Sequence, residues 1–119
     1  MTNNKELKAI EALHQAIDTK FGHNIVIMDL RELSPIADFF LIATGSSGPQ
    51  LAALADVAEE TLLAHDIRVR HREGIRSANW MLLDFGSIVV HLFDKESRDY
   101  YSLERIWGDA KIITPEATV

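Results

Sequence analysis

Apolar residues recur at helical spacing through the first segment of the chain, at Leu7, Ile10, Leu13, Ile17 and Phe21. With polar residues between them, this stripe predicts an amphipathic helix of about four turns. Gly22 is placed to end it in a left-handed cap. The pattern then changes. Asn24-Ile25-Val26-Ile27-Met28-Asp29-Leu30 is apolar on both faces and rich in β-branched residues, which predicts a buried strand. Ser34-Pro35 marks a turn, since the proline disfavours helix at the residue before it. A second buried run, Phe39-Phe40-Leu41-Ile42-Ala43-Thr44, stops at Gly45. Ser47 with Gln50 three residues on fits a capping box, and Pro49 is tolerated in a first helical turn. The helix that follows should bury Leu51, Leu54, Ala55, Ala58 and Leu62 and turn Asp56, Glu59 and Glu60 to water. It is long enough to cross over to a parallel strand.

Arg68-Val69-Arg70-His71-Arg72 alternates with period two and predicts a further strand. Trp80–Asp84 and Ile88–Phe93 flank Phe85-Gly86-Ser87, which predicts a hairpin. Asp94 is a candidate N-cap. Tyr100, Leu103 and Trp107 recur at i, i+3 and i+7, so a last short helix should run to about Trp107 and stop at Gly108. The predicted order is α-β-β-α-β-β-β-α, a single α/β domain over residues 1–110 with a mixed sheet flanked by helices. Residues 111–119, around Pro115, read as a frayed tail.

Composition narrows the class. With 119 residues, 47% of them apolar, the chain can bury a core without staples. It has no cysteine, which excludes disulfides, thiolate metal sites and cysteine nucleophiles. No apolar run approaches the roughly 20 residues of a membrane span, and the opening residues resemble neither a signal nor a transit peptide. The expectation is a cytoplasmic protein with no membrane partner. Lys and Arg total 12 against 18 Asp and Glu, a net charge of −6, which argues against general affinity for nucleic acid.

The candidate chemistry is sparse. Asp84-Phe85-Gly86 spells the metal-binding triplet of protein kinases, but the glycine loop, strand lysine and catalytic loop are absent, so it reads as a hairpin turn. Gly45-Ser46 sits between a strand and a helix, where nucleotidyltransferases hold a nucleotide phosphate. Such enzymes also need paired carboxylates for Mg²⁺, and Asp56-Val57-Ala58 supplies one. The turn is thus either a plain helix cap or part of a nucleotide-handling enzyme. None of the five histidines is paired at i, i+4, and His91 reads as a hydrogen-bonded core or sheet-face residue. No metal, cofactor or catalytic residue is expected. Arg68, Arg70 and Arg72 would share one strand face, either touching RNA phosphate or charging an edge strand against aggregation. Trp80, Leu82 and Asp84 share one face of their strand, with Met81 and Leu83 on the other. The last helix adds Tyr100 and Tyr101 beside Arg98, Glu104 and Arg105. These residues are either a protein-binding hot spot or ordinary core capping a small sheet.

The stretch Ser34-Pro35-Ile36-Ala37-Asp38-Phe39-Phe40-Leu41-Ile42-Ala43-Thr44-Gly45-Ser46-Ser47 resembles the first signature of the ribosomal silencing factors, the Iojap family. A second signature is matched by Trp80 through Asp84, Gly86, Val89-Val90-His91 and Phe93. A third is matched by Glu96, Ser97-Arg98, Tyr100-Tyr101, Leu103-Glu104-Arg105 and Trp107-Gly108-Asp109-Ala110. The resemblance implies an α/β domain shaped like a nucleotidyltransferase but lacking its catalytic carboxylates. It also implies binding to the large ribosomal subunit through large-subunit ribosomal protein fourteen. Occupying that surface blocks joining with the small subunit and slows translation under nutrient limitation; a role in large-subunit assembly is the alternative. Carried over by residue, the contact falls on Trp80, Leu82, Asp84, Tyr100 and Tyr101, with Glu104 and Arg105 nearby. A homodimer, common in the family, and a secondary ribosomal RNA contact through the arginine strand complete the expectations.

Overall fold

The computed structural model describes residues 4–35, 37–75, 79–102, 105 and 108–113, with residues 4, 75, 100 and 101 described by their backbone alone. Helix α1 spans Asn4–Thr19. Its stripe behaves as the spacing requires: Ala9, Ile10, Leu13 and Ile17 are buried. The end of the stripe does not. Phe21, rather than Gly22, takes the left-handed conformation (φ 70°), and its side chain is 81% exposed. The helix has stopped two residues earlier, so position 21 no longer falls on the buried face. Glycine is needed next for space: a Cβ at Gly22 would lie 2.4 Å from Cγ2 of Ile17.

Strand β1 (His23–Asp29) leads through the Ser34-Pro35 turn to β2 (Phe39–Thr44), then α2 (Gly48–Leu63). Ser47 is the N-cap of α2, its side chain accepting from the Gln50 amide, and Leu51, Leu54, Ala55, Ala58 and Leu62 are buried as predicted. Strands β3 (His71–Ile75), β4 (Trp80–Asp84) and β5 (Ile88–Phe93), helix α3 (Lys95–Tyr101) and strand β6 (Lys111–Ile113) follow. The six strands form one mixed sheet in the order β3-β4-β5-β2-β1-β6. Only β2 and β5 pair in parallel among the strand pairs described. The chain is a single α/β domain.

Three further elements differ from the pattern-based expectation. Strand β3 starts at His71, so Arg68 and Arg70 precede it and the three arginines do not share a strand face. Asp66 turns left-handed (φ 62°) after α2, and Ile67 is drawn into the core, its N–H donating to the Leu62 carbonyl. The arginines also separate in their contacts: Arg72 pairs with Asp56 and Glu59 of α2, at 2.8 and 2.7 Å. Helix α3 ends at Tyr101, where Ser102 adopts a left-handed cap (φ 49°). Of its predicted continuation, positions 103, 104, 106 and 107 lie outside the described residues. Lys111–Ile113, read as the start of a tail, pairs antiparallel with β1. At three residues it is too short to show a periodicity, yet it covers the strand that would otherwise form that edge.

Both long helices pack on one sheet face. Ile10, Leu13, Ile17, Leu54 and Leu62 meet Leu41, Leu83, Val90 and Leu92 there in the main core. The opposite face carries a smaller cluster of Met28, Leu30, Ile42 and Phe93, with Val26, Phe40, Trp80 and Ala110 packed against it. Only α3 among the described helices approaches this side. Asp94 caps it, and its buried Arg98 donates to the Asn24 carbonyl and, at 2.9 Å, to Thr44 Oγ1. One end of the outer face is thereby clamped, and among the described residues no helix covers the rest.

Candidate functional site

The outer face is built by alternation and register. On β4, Trp80, Leu82 and Asp84 point one way because successive strand residues alternate. They pair directly with Phe93, His91 and Val89 of β5. Across the parallel ladder, Val89, His91 and Phe93 stand beside Phe40, Ile42 and Thr44 of β2. On the free side, Glu73 and His71 of edge strand β3 lie opposite Leu82 and Asp84. The result is an apolar and aromatic centre with carboxylates along one rim. Trp80, Leu82, Asp84, Val89 and Phe40 are all half-buried, while Glu73 is exposed.

Trp80 is therefore neither enclosed core nor a free surface ring. Its indole stacks on Phe93 with centroids 4.9 Å apart, and Nε1–H donates to His91 Nδ1 at 3.2 Å. His91 is the hydrogen-bonded sheet-face residue anticipated above: 5% exposed, with the Phe40 ring edge-on at 4.7 Å. Burial pushes its pKa down from 6.5 to about 4, because a cation there would lose its hydration among aromatic rings. The imidazole is thus neutral at neutral pH. Since Nδ1 accepts, the proton resides on Nε2, which is buried and has no partner among the described residues.

Asp84 has a second task. Its Oδ1 accepts from the Gly86 amide at 2.8 Å, and Gly86 has φ 91°. Phe85 N–H donates to the Ile88 carbonyl. The Asp84-Phe85-Gly86 triplet is a hairpin turn. On the rim, His71 Nε2 lies 3.2 Å from Glu73 Oε1.

The Gly45-Ser46 turn is occupied by its own chain. The Ser46 amide and hydroxyl both donate to Gln50 Oε1. Gln50 Nε2 donates in turn to the carbonyls of Lys20 and Phe21, each at 3.2 Å, tying α2 to the end of α1. Glycine at 45 makes room for a side chain rather than a phosphate: a Cβ there would sit 2.7 Å from Leu51 Cδ2. Among the described residues no three His, Asp or Glu side chains cluster in a way that could hold a metal. Nor is any described helix long and apolar enough to cross a membrane.

Of the residues singled out in the sequence, the structure brings Trp80, Leu82 and Asp84 onto one face. Tyr100 and Tyr101 close helix α3, with side chains outside the described residues, as is Glu104. Arg105 is exposed beyond the Ser102 cap, whose carbonyl accepts from its N–H. Phe40, Val89 and Glu73 belong to the same face but were not among the candidates. Their alternation is visible in the sequence; the ladder that places them beside Trp80 is not.

The model of the family described as "Ribosomal silencing factor during starvation" matches residues 3–119. A ribosomal silencing factor of Halalkalibacterium halodurans is 37% identical over 117 residues, covering 98% of each chain. One from Bacillus subtilis is 39% identical over 110 residues, covering 92% of each. Among solved structures, a crystal structure of a Chromobacterium violaceum protein superposes with a TM-score of 0.80 at 28% identity. It covers 94% of this chain and 92% of that one. With a family model spanning nearly the whole chain, relatives matched end to end and the same fold in a solved structure, this chain belongs to the ribosomal silencing factor family.

Proposed function

We propose that this chain represses translation by occlusion. It binds the large ribosomal subunit through large-subunit ribosomal protein fourteen, at the surface where the small subunit must dock, and acts in the cytoplasm without catalysis. The observation that carries the reading is the outer sheet face, with Trp80, Leu82, Val89 and Phe40 half-buried at its centre and Asp84 and Glu73 on its rim. A partly exposed tryptophan among aliphatic neighbours is the usual anchor of a protein interface, and carboxylates around it suit a basic partner. The net charge of −6 adds long-range steering toward such a partner and disfavours stray contact with naked RNA. The resemblance assigns Tyr100, Tyr101, Glu104 and Arg105 to the same contact. A homodimer and a secondary RNA contact through Arg68 and Arg70 are compatible additions, with Arg72 already engaged by Asp56 and Glu59.

Blocking requires affinity and bulk, not chemistry. Truncating a central anchor, as in Trp80→Ala, should cost about 2–4 kcal/mol of binding, roughly 30- to 1000-fold. The test is sedimentation of separated subunits mixed with excess protein. The reading expects fewer joined ribosomes than in its absence; equal joining would sink it.

A further inference from the structure

We propose that His91 is the positioning residue of the binding face, holding the Trp80 indole in its partner-ready orientation by accepting its N–H. The inference rests on the assignment of Trp80 to the ribosomal contact and adds how that ring is kept in place.

A half-buried tryptophan has two demands. Its apolar rings need a surface to lie on, and its N–H needs an acceptor. Phe93, directly opposite on β5, meets the first with a stacked contact at 4.9 Å. The second is met one diagonal away. His91 pairs directly with Leu82, two residues along β4 from Trp80, which places it within reach of a long side chain. Its Nδ1 lies 3.2 Å from the indole nitrogen, and the two ring centroids are 5.8 Å apart. His91 is itself fixed, edge-on to Phe40 at 4.7 Å and nearly parallel to Phe93, with an interplanar angle of 8°. The acceptor therefore cannot drift. Its described neighbours Ile42, Leu82 and Phe93 are apolar and carry no side-chain acceptor, whereas His91 Nδ1 does.

The chemistry of the pair is one-directional. Nδ1 accepts only while the imidazole is neutral, and burial keeps it so through the neutral range. Among the described residues, the charged and titratable groups that share this face are Asp84 on β4 and Glu73 and His71 on β3, with Arg98 of α3 at its clamped end. His91 does not touch the partner in this scheme. Without it, the indole N–H would turn toward water, and the partner would have to bind a ring that first reorients, which weakens affinity through lost preorganisation.

The test compares His91→Phe, His91→Asn and Trp80→Ala for binding to purified large subunits, together with the indole N–H signals of ¹⁵N-labelled free protein. The chain has two tryptophans, and the Trp80 signal is the one that disappears in Trp80→Phe. His91→Phe keeps a ring and removes the acceptor. It should lower affinity roughly three- to tenfold, shift the Trp80 signal and speed its exchange with solvent. His91→Asn, which restores an oxygen near the Nδ1 position, should recover most of both. A His91→Phe protein that binds as wild type while Trp80→Ala does not would overturn the positioning role alone. Trp80→Ala binding as wild type would overturn the site as well. Should both His91 variants fail to fold, the wild-type signal decides: a Trp80 N–H exchanging as fast as an exposed indole contradicts the proposal, and a protected one supports it.

Discussion

Acidification from pH 7 to pH 4 should weaken this fold chiefly through His91. In the folded chain its pKa is lowered from 6.5 to about 4 by burial. The unfolded chain accepts that proton near pH 6.5, whereas the folded chain resists it until about pH 4. The contribution is therefore fully present above pH 6.5 and is lost as the pH falls toward 4. At about 1.4 kcal/mol for each unit of difference, the loss is on the order of 3 kcal/mol. That is a large fraction of the roughly 5–15 kcal/mol that holds an ordinary domain together. Among the described residues, two carboxylates with lowered pKa values act outside this window. Asp29 is held down by its side-chain bond from Arg31 and Asp94 by the Ser97 amide. What they contribute is present above the usual value of 3.8 and is lost only below it. Urea denaturation of wild type and His91→Phe at half-unit steps between pH 7 and pH 4 isolates the effect. Wild type should lose on the order of 3 kcal/mol more than the variant across that range. The absolute stabilities at pH 7 do not enter, since the variant also loses the Trp80 hydrogen bond. Parallel pH profiles for the two proteins would refute the reasoning.

Other expectations concern the turn after α1 and the loop before α2. Gly22→Ala places a methyl 2.4 Å from Ile17 Cγ2 and 3.1 Å from the Ile17 carbonyl oxygen. It should destabilise by about 1–3 kcal/mol in thermal or urea denaturation, as overpacking does; an unchanged midpoint would contradict the packing described. Phe21→Asn should do the opposite, because asparagine tolerates φ 70° better and the lost ring is 81% exposed. A gain of about 0.5–1 kcal/mol is expected, and a loss would show that the ring is needed. At Gly45-Ser46, where Gln50 takes up the Ser46 donors, nucleoside triphosphates with Mg²⁺ should leave the melting temperature unmoved. A dose-dependent rise would reopen an enzymatic reading.

Much of this fold is legible because its central elements are long and unambiguous. Strand β2 is a continuous apolar run between turn signals, and its predicted bounds, Phe39–Thr44, are those observed. Helix α2 announces itself through the Ser47 cap and a stripe whose five members are all buried. The failures fall at edges, where local pattern is weakest. Phe21 fits a helical spacing that the backbone has already abandoned. Arg68 and Arg70 fit an alternation that the burial of Ile67 interrupts. Strand β6 has three residues and is specified by its partner β1 rather than by itself. At the site, alternation along β4 suffices to group Trp80, Leu82 and Asp84. Bringing Phe40 to the same face requires the parallel register of β2 against β5, two strands separated by a helix and a hairpin. That is tertiary information. His91 could be suspected of a buried hydrogen bond, but its donor on the neighbouring strand could not be named without the ladder.

The central claim, that the outer sheet face seats the large subunit, is tested most directly by co-sedimenting Trp80→Ala with isolated large subunits, alongside wild type. Wild type should travel with the particle while the variant, shown by circular dichroism to be folded, stays at the top of the gradient. A folded variant that travels with the particle as fully as wild type would place the contact elsewhere on the chain.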